Sequence, residues 1–131
     1  MFLIPTYVGP SAIHGYGVFT AVPIAANTVI WQFVEGVDLR LSEGDLLAVP
    51  PQIRAPLRSY CYREESGAYV LCGDNAKFMN HSVRPSCDDD GVATVVPRDL
   101  PVGAELTCDY RAFDYDTING RGEWFTATAA R

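Results

Sequence analysis

Apolar and polar positions alternate over short runs, and glycine or proline cuts each run before it grows long. Residues 6–8 (Thr-Tyr-Val) lead into Gly9-Pro10, a turn signal. Val18-Phe19-Thr20 follows Gly15-Tyr16-Gly17 and is closed by Pro23. Residues 28–33, Thr-Val-Ile-Trp-Gln-Phe, are the strongest strand, being rich in β-branched and aromatic side chains. Further strands are predicted over 68–72, ended by Gly73-Asp74-Asn75, over 92–96, and over 104–108 after Pro101-Val102-Gly103. Helical character is confined to the stretch between about Asp38 and Ser59. Ser42, with Asp45 three residues on, predicts an N-cap for a helix through Leu46 and Val49, which Pro50-Pro51 stops. A second short helix over 52–60 is weakened by Pro56. Neither is long enough for a bundle, so both are expected as a packed insert between sheets. The pattern predicts a mainly β fold of hairpins and meanders with short helices, and no βαβ unit.

Composition narrows the function. The 131 residues make one domain, and 48% apolar against 20% charged residues supply a core and exclude a disordered segment. The formal charge is −6, from 10 Lys plus Arg against 16 Asp plus Glu. Lys77 is the single lysine, and the arginines are scattered from Arg40 to Arg131. No basic stripe exists to neutralise phosphates, which argues against direct nucleic-acid binding. A negative surface instead steers a cationic partner. No apolar run approaches the roughly 18 residues of a membrane helix. Residues 1–5 carry no basic region and too short an apolar run for a signal peptide, so the cytoplasm is expected. Cys61, Cys72, Cys87 and Cys108 lie far apart without a Cys-x-x-Cys pair. Free thiols are expected and a zinc knot is not. The spacing of His81, Cys87 and Cys108 argues equally poorly for a metal site. Asp88-Asp89-Asp90-Gly91 reads as a solvated turn, because it lacks the spaced oxygen ligands of a calcium loop.

Three segments carry polar groups that periodicity does not explain. In Asn75-Ala76-Lys77-Phe78-Met79-Asn80-His81-Ser82, apolar Phe78-Met79 takes the chain toward the core, and a dense set of donors and acceptors follows. Such groups must be paired, either by knitting backbone segments together or by holding a polar ligand. Gly15-Tyr16-Gly17 makes a bend or lets the backbone approach a ligand closely. Residues 103–110, Gly-Ala-Glu-Leu-Thr-Cys-Asp-Tyr, form a strand that delivers Tyr110 where the chain changes character.

In order and spacing the three segments resemble the SET domain family of protein lysine methyltransferases, over about residues 8–110. Gly15 to Phe19 resembles the family's first glycine motif. Asn75 to His81, with Ser82, Pro85 and Cys87, resembles its signature core, and Glu105 to Tyr110 its closing motif. The resemblance implies a β-clip of several small curved sheets with a C-terminal pseudoknot, a single domain over 1–131 with 111–131 as a closing segment, and no zinc module after it. It implies S-adenosylmethionine as cofactor, S-adenosylhomocysteine as by-product, and no metal. The cofactor would lie against Gly15, Tyr16 and Gly17. Asn80 would hold its amino end, His81 would support its adenine end, and Lys77 would stand near its carboxylate. Tyr110 matches the catalytic tyrosine. It would orient the amine and favour the transition state electrostatically rather than act as a base, since a phenol titrates near 10. Tyr60, Tyr62, Tyr69, Phe113, Tyr115, Trp124 and Phe125 are candidate aromatic walls of the lysine channel.

Two departures stand out. Cys108 sits where the family usually has Phe or Tyr, which implies room for di- or trimethylation. Ser86 replaces a usual Asn, and a weakened local hydrogen bond is expected. The expected partner is a basic, lysine-bearing protein such as a histone, which would place the protein at chromatin. Likeness to stand-alone viral and bacterial members adds an expected homodimer. A catalytically silent, protein-binding SET module is the alternative.

Overall fold

The computed structural model describes residues 1–119. The first hairpin pairs β1 (Thr6–Pro10) antiparallel with β2 (Tyr16–Thr20), from Thr6↔Thr20 to Pro10↔Tyr16. The turn expected at Gly9-Pro10 is therefore displaced. Because β1 is an edge strand, Pro10 can belong to it without owing a ladder donor. The chain turns instead at Ser11 to Gly15, where Ser11 N donates to Gly15 O at 2.8 Å and Gly15 takes φ +46°. Alternation along β2 buries Val18 and Thr20 and turns Phe19 outward onto Tyr7, the two rings stacked 5.4 Å apart.

Two further elements complete this sheet, whose order is β1-β2-β10-β7. Strand β10 (Glu105–Cys108) pairs antiparallel with β2 through Glu105↔Phe19 and Leu106↔Val18. On its other side it pairs parallel with β7 (Asn80–His81), through Thr107↔Asn80 and Cys108↔His81. After His81 the chain leaves the sheet, builds β8 (Asp88–Asp89) and β9 (Ala93–Val96) elsewhere, and returns as β10. This crossing brings the signature segment and the closing motif side by side. Ser86 fastens it: its Oγ donates to Glu105 O at 2.8 Å and accepts from Thr107 N at 3.0 Å. The weakened bond expected at Ser86 is not found, because a hydroxyl both donates and accepts at the two ladder groups it faces.

A second sheet has the order β3-β9-β8, with β3 at Thr28–Gln32. The acidic stretch is not wholly a solvated turn. Asp88 and Asp89 form β8, Asp89 turns inward, and the reversal falls at Asp90-Gly91-Val92. A third sheet orders β4 (Leu39–Leu41), β6 (Tyr69–Leu71) and β5 (Cys61–Arg63). Between β4 and β5 lie α1 (Glu43–Ala48) and α2 (Pro51–Ser59). The predicted cap is present as a reciprocal box: Asp45 N donates to Ser42 Oγ, and Ser42 N donates to Asp45 Oδ2. Helix α1 packs through Leu46, whereas α2 begins one residue early, on Pro51, and buries no residue. It is thus a surface element rather than a packed one. Val18, Ile30, Trp31, Val96, Leu106 and the thiols of Cys87 and Cys108 form the common core on which the sheets converge.

Candidate active site

Two connected cavities open where β7 and β10 meet the helical insert. The broader, about 630 Å³, is lined by Gly15, Tyr16, Tyr60, Tyr69, Asn80 and His81, among others. The narrower, about 100 Å³, runs between Tyr62, Phe113, Cys108 and Trp31. Tyr60, Lys77, Met79, Tyr110 and Asp114 line both and mark the junction.

Asn80 anchors the glycine loop. Its Nδ2 faces the carbonyls of His14 and Tyr16 at 3.0 and 3.1 Å, Ser11 Oγ at 3.1 Å and Glu105 Oε1 at 3.0 Å. Only an amide nitrogen suits so many acceptors, which fixes the orientation of the side chain. Ser11 Oγ donates to the same Glu105 oxygen at 2.8 Å. Gly17 lies beneath this hub, where a Cβ would fall 2.1 Å from Glu105 Oε1. Its missing side chain lets loop, β7 and β10 close on one another. Gly17 is buried and does not line the cleft, unlike Gly15 and Tyr16.

Tyr110 leaves β10 at a sharp local cap: Asp109 accepts from Arg111 N at 3.0 Å, starting a 3-10 turn over Tyr110–Ala112. Its backbone N–H donates to His81 Nδ1 at 3.0 Å, and its hydroxyl donates to the Met79 carbonyl. His81 therefore presents Nδ1 as an acceptor, which requires the neutral ring. Burial holds the imidazole below its ordinary pKa, with Asp109 opposing from 3.8 Å and Arg111 reinforcing. Burial, with Cys108, Asp114 and Cys72 nearby, pushes the Tyr110 phenol well above its ordinary value and keeps it protonated. Rings continue from this point: His81–Tyr110 at 5.4 Å, Tyr110–Phe113 at 5.6 Å and Phe113–Tyr62 at 5.2 Å, all edge-on. An apolar, quadrupolar wall of this kind suits a cationic or alkylated amine.

The cysteines, distant in sequence, come together here. Cys61, Cys72 and Cys108 line the narrow pocket, and all four are free thiols. Burial pushes Cys61 up to about 11 and Cys72 up to about 12. The neighbouring Cys87 thiol and burial together push Cys108 up, while Cys108 beside it holds Cys87 below its ordinary value. Among the described residues no group of three or more His, Cys, Asp or Glu is arranged to hold a metal ion.

The family model for the SET domain matches residues 15–111. The chain belongs to the SET domain family. This SET domain is 32% identical over 118 residues to a Yarrowia lipolytica histone-lysine N-methyltransferase, H3 lysine-4 specific, covering 82% of the chain and 10% of that protein. It is 28% identical over 112 residues to the Drosophila melanogaster histone-lysine N-methyltransferase SETD1, covering 77% and 7%. The chain thus spans about a tenth of the length of the curated relatives it matches. A candidate histone methyltransferase of Plasmodium falciparum has a similar fold, with TM-score 0.58 at 19% identity, over 82% of this chain and 93% of that one.

Of the residues expected at the site, Gly15, Tyr16, Lys77, Asn80, His81, Tyr60, Tyr69 and Tyr110 meet at the broad cleft, and Tyr60, Tyr62, Cys108 and Phe113 at the narrow pocket. Tyr115 opens α3 (Tyr115–Ile118) and is not among the lining residues of either cavity. Trp124 and Phe125 lie outside the described residues. Sequence reasoning missed Trp31, Arg58, Arg63, Asp89 and Asp114, all of which line a cavity. Trp31 was legible only as a strand aromatic, and Asp89 was hidden in an acidic run. Asp114 carried a weak signal, a short polar side chain just before a helix. The structure buries it, with Oδ1 accepting from Arg63 N at 2.8 Å.

Proposed function

We propose that this SET domain transfers methyl groups from S-adenosylmethionine to a lysine side-chain amine of a protein. The observation that carries the reading is Tyr110 at the junction of a wide cleft and a narrow aromatic pocket. The residues present suit the cofactor. A cleft of about 630 Å³ is in the range of small-molecule sites. Its lining offers Lys77, Arg58 and Arg63 to a carboxylate and Asp114 and Asp116 to an ammonium. The loop carbonyls that would bound the cofactor are already fixed by Asn80, whose Oδ1 is left to accept from an amino group. When bound, the cofactor supplies an electrophilic methyl on a sulfonium.

This chain's own part is positional and electrostatic. Tyr62, Phe113 and Tyr110 enclose the apolar stem of the lysine and limit water around its head. The Tyr110 hydroxyl, held by the Met79 carbonyl, orients the amine nitrogen toward the cleft. A phenol kept protonated takes no proton from the substrate, so that proton leaves to solvent before transfer. The small Cys108 side chain leaves room for more than one methyl. A protein of charge −6 favours a basic, lysine-bearing substrate, and relatives named as histone methyltransferases make a histone tail at chromatin the first candidate. Association as a homodimer is carried over from likeness to stand-alone members, and sedimentation of the purified protein decides it.

The test is transfer of labelled methyl from S-adenosylmethionine to histones and cell extract. Tyr110→Phe is expected to lose about 10²–10³-fold in rate while keeping its fold. Absence of label from native protein that still binds the cofactor would transfer the assignment to a silent binding module.

A further inference from the structure

Three carboxylates line the two cavities, and they differ in reach. Asp116 lines the broad cleft alone and Asp89 the narrow pocket alone, whereas Asp114 lines both, as Tyr110 does. Asp114 N donates to Tyr110 O at 2.9 Å, which places the carboxylate one turn of chain beyond the phenol. The same carboxylate is among the charges that keep that phenol protonated. Its oxygens are fixed in place, Oδ1 by Arg63 N at 2.8 Å and Oδ2 by Thr117 Oγ1 at 2.5 Å. Both donors are neutral, and each oxygen keeps a second acceptor position.

Asp114 is only 7% exposed, yet among the described residues no lysine, arginine or histidine forms an ion pair with it. The Arg63 guanidinium turns instead to Asp116 at 3.1 Å and to Glu43 at 3.8 Å, and Arg111 is taken by Asp109. Arg58 on α2, Lys77 in the 3-10 turn Asn75–Phe78 and His81 on β7 face the same cleft, with Tyr60 and Tyr69 beside them. Burial pushes up Cys61, Tyr62, Cys72, Cys108 and Tyr110, so these neighbours bring no charge at neutral pH. A buried carboxylate without a counter-ion is costly, and native proteins pair such charges. The missing cation is one that arrives at the junction.

We propose that Asp114 is the counter-ion of the substrate lysine, receiving the side chain as an ammonium and holding the methylated ammonium that leaves. The inference rests on the reading of the narrow pocket as a lysine channel. The ammonium gives its proton to solvent before transfer, and the nitrogen becomes cationic again when it takes the methyl. The carboxylate therefore favours entry and the charge that develops on nitrogen, but it also makes the bound amine hold its proton more tightly. An opposite charge a few ångströms away strengthens proton binding by about tenfold or more.

Binding is read without turnover, by NMR titration of Nα-acetyl-lysine methylamide into the protein with S-adenosylhomocysteine. The norleucine counterpart has the same apolar stem and no amine. Native protein is expected to bind the lysine probe about tenfold more tightly, and Asp114→Asn to lose that preference. Asparagine keeps Oδ1 for Arg63 N and offers Nδ2 to Thr117 Oγ1, so the local bonds survive the exchange. Equal binding of both probes by native protein overturns the proposal, and does so even where the variant does not fold. A preference kept in Asp114→Asn, or lost only in Asp89→Asn, overturns it too. In the transfer reaction the rise of kcat with pH follows loss of the amine proton. Asp114→Asn should move that rise about one pH unit lower and raise KM for the lysine substrate about tenfold. A role in holding the fold alone would leave the position of the rise unmoved, and that result rejects the counter-ion. Native protein that transfers no methyl rejects the proposed function, and the two probes then still decide the counter-ion.

Discussion

Tyr110 is held at both ends, by His81 through its backbone N–H and by the Met79 carbonyl through its hydroxyl. The first bond requires a neutral imidazole, which gives stability a pH dependence of definite sign. Burial, only partly opposed by Asp109, puts the folded pKa of His81 below its unfolded value. The unfolded chain then binds the proton more readily, and acid favours unfolding. The His81 contribution is complete above the ordinary imidazole value, roughly 6.5, and is lost as pH falls from there toward the lower folded pKa. We expect the urea midpoint to drop on acidification below that value. His81→Asn, which keeps an acceptor but cannot titrate, should flatten the drop. An equal drop in both proteins would assign it to other groups. At this scale the sequence marked Asn80, His81 and Tyr110 as residues of consequence, but not their division of labour. Asn80 knits the loop and bounds the cleft at once, because its amide nitrogen bonds the His14 and Tyr16 carbonyls while the residue lines the cleft.

Elements were legible where local chemistry specified them. The Ser42–Asp45 box and the Pro50-Pro51 stop set the ends of α1, and β-branched content located β3. Strand β1 ran past its turn signal because edge position, a tertiary property, decides whether proline is tolerated. Strand β8 was missed because two aspartates have low strand propensity, which pairing with Val95 and Thr94 overrides. The segment between β6 and the following 3-10 turn carries a sharper constraint. A Cβ on Gly73 would lie 1.8 Å from the Val37 carbonyl oxygen, a backbone atom that cannot swing aside. Gly73→Ala should therefore destabilise the fold by about 1–3 kcal/mol, seen as a lower denaturant midpoint at unchanged slope. An unchanged midpoint would mean that the turn at Val37 moves freely. Because Gly73 N also donates to buried Asp38 at 3.2 Å, that outcome is not expected.

Across the whole molecule, a charge of −6 would make encounter with the proposed cationic substrate a long-range effect. The Debye length shrinks from about 10 Å at 0.1 M salt to about 3 Å at 1 M. KM for a basic lysine peptide should accordingly rise with salt. KM for the proposed cofactor, which short contacts within the cleft would hold, should change much less, and steady-state kinetics at several ionic strengths compares the two. A peptide KM that ignores salt would assign recognition to short contacts alone. The sequence by itself determined the β class, the capped helical insert and the three motifs, because these depend on propensity, turn chemistry and residue order along the chain. Tertiary structure decided what those motifs meet. The crossing that sets β7 parallel to β10 brings Asn80 to Glu105 and His81 to Tyr110 across some 25–30 positions, and a bulge in β3 turns Trp31 into the narrow pocket. Such pairings depend on long-range register, and no run of neighbouring residues encodes that register locally.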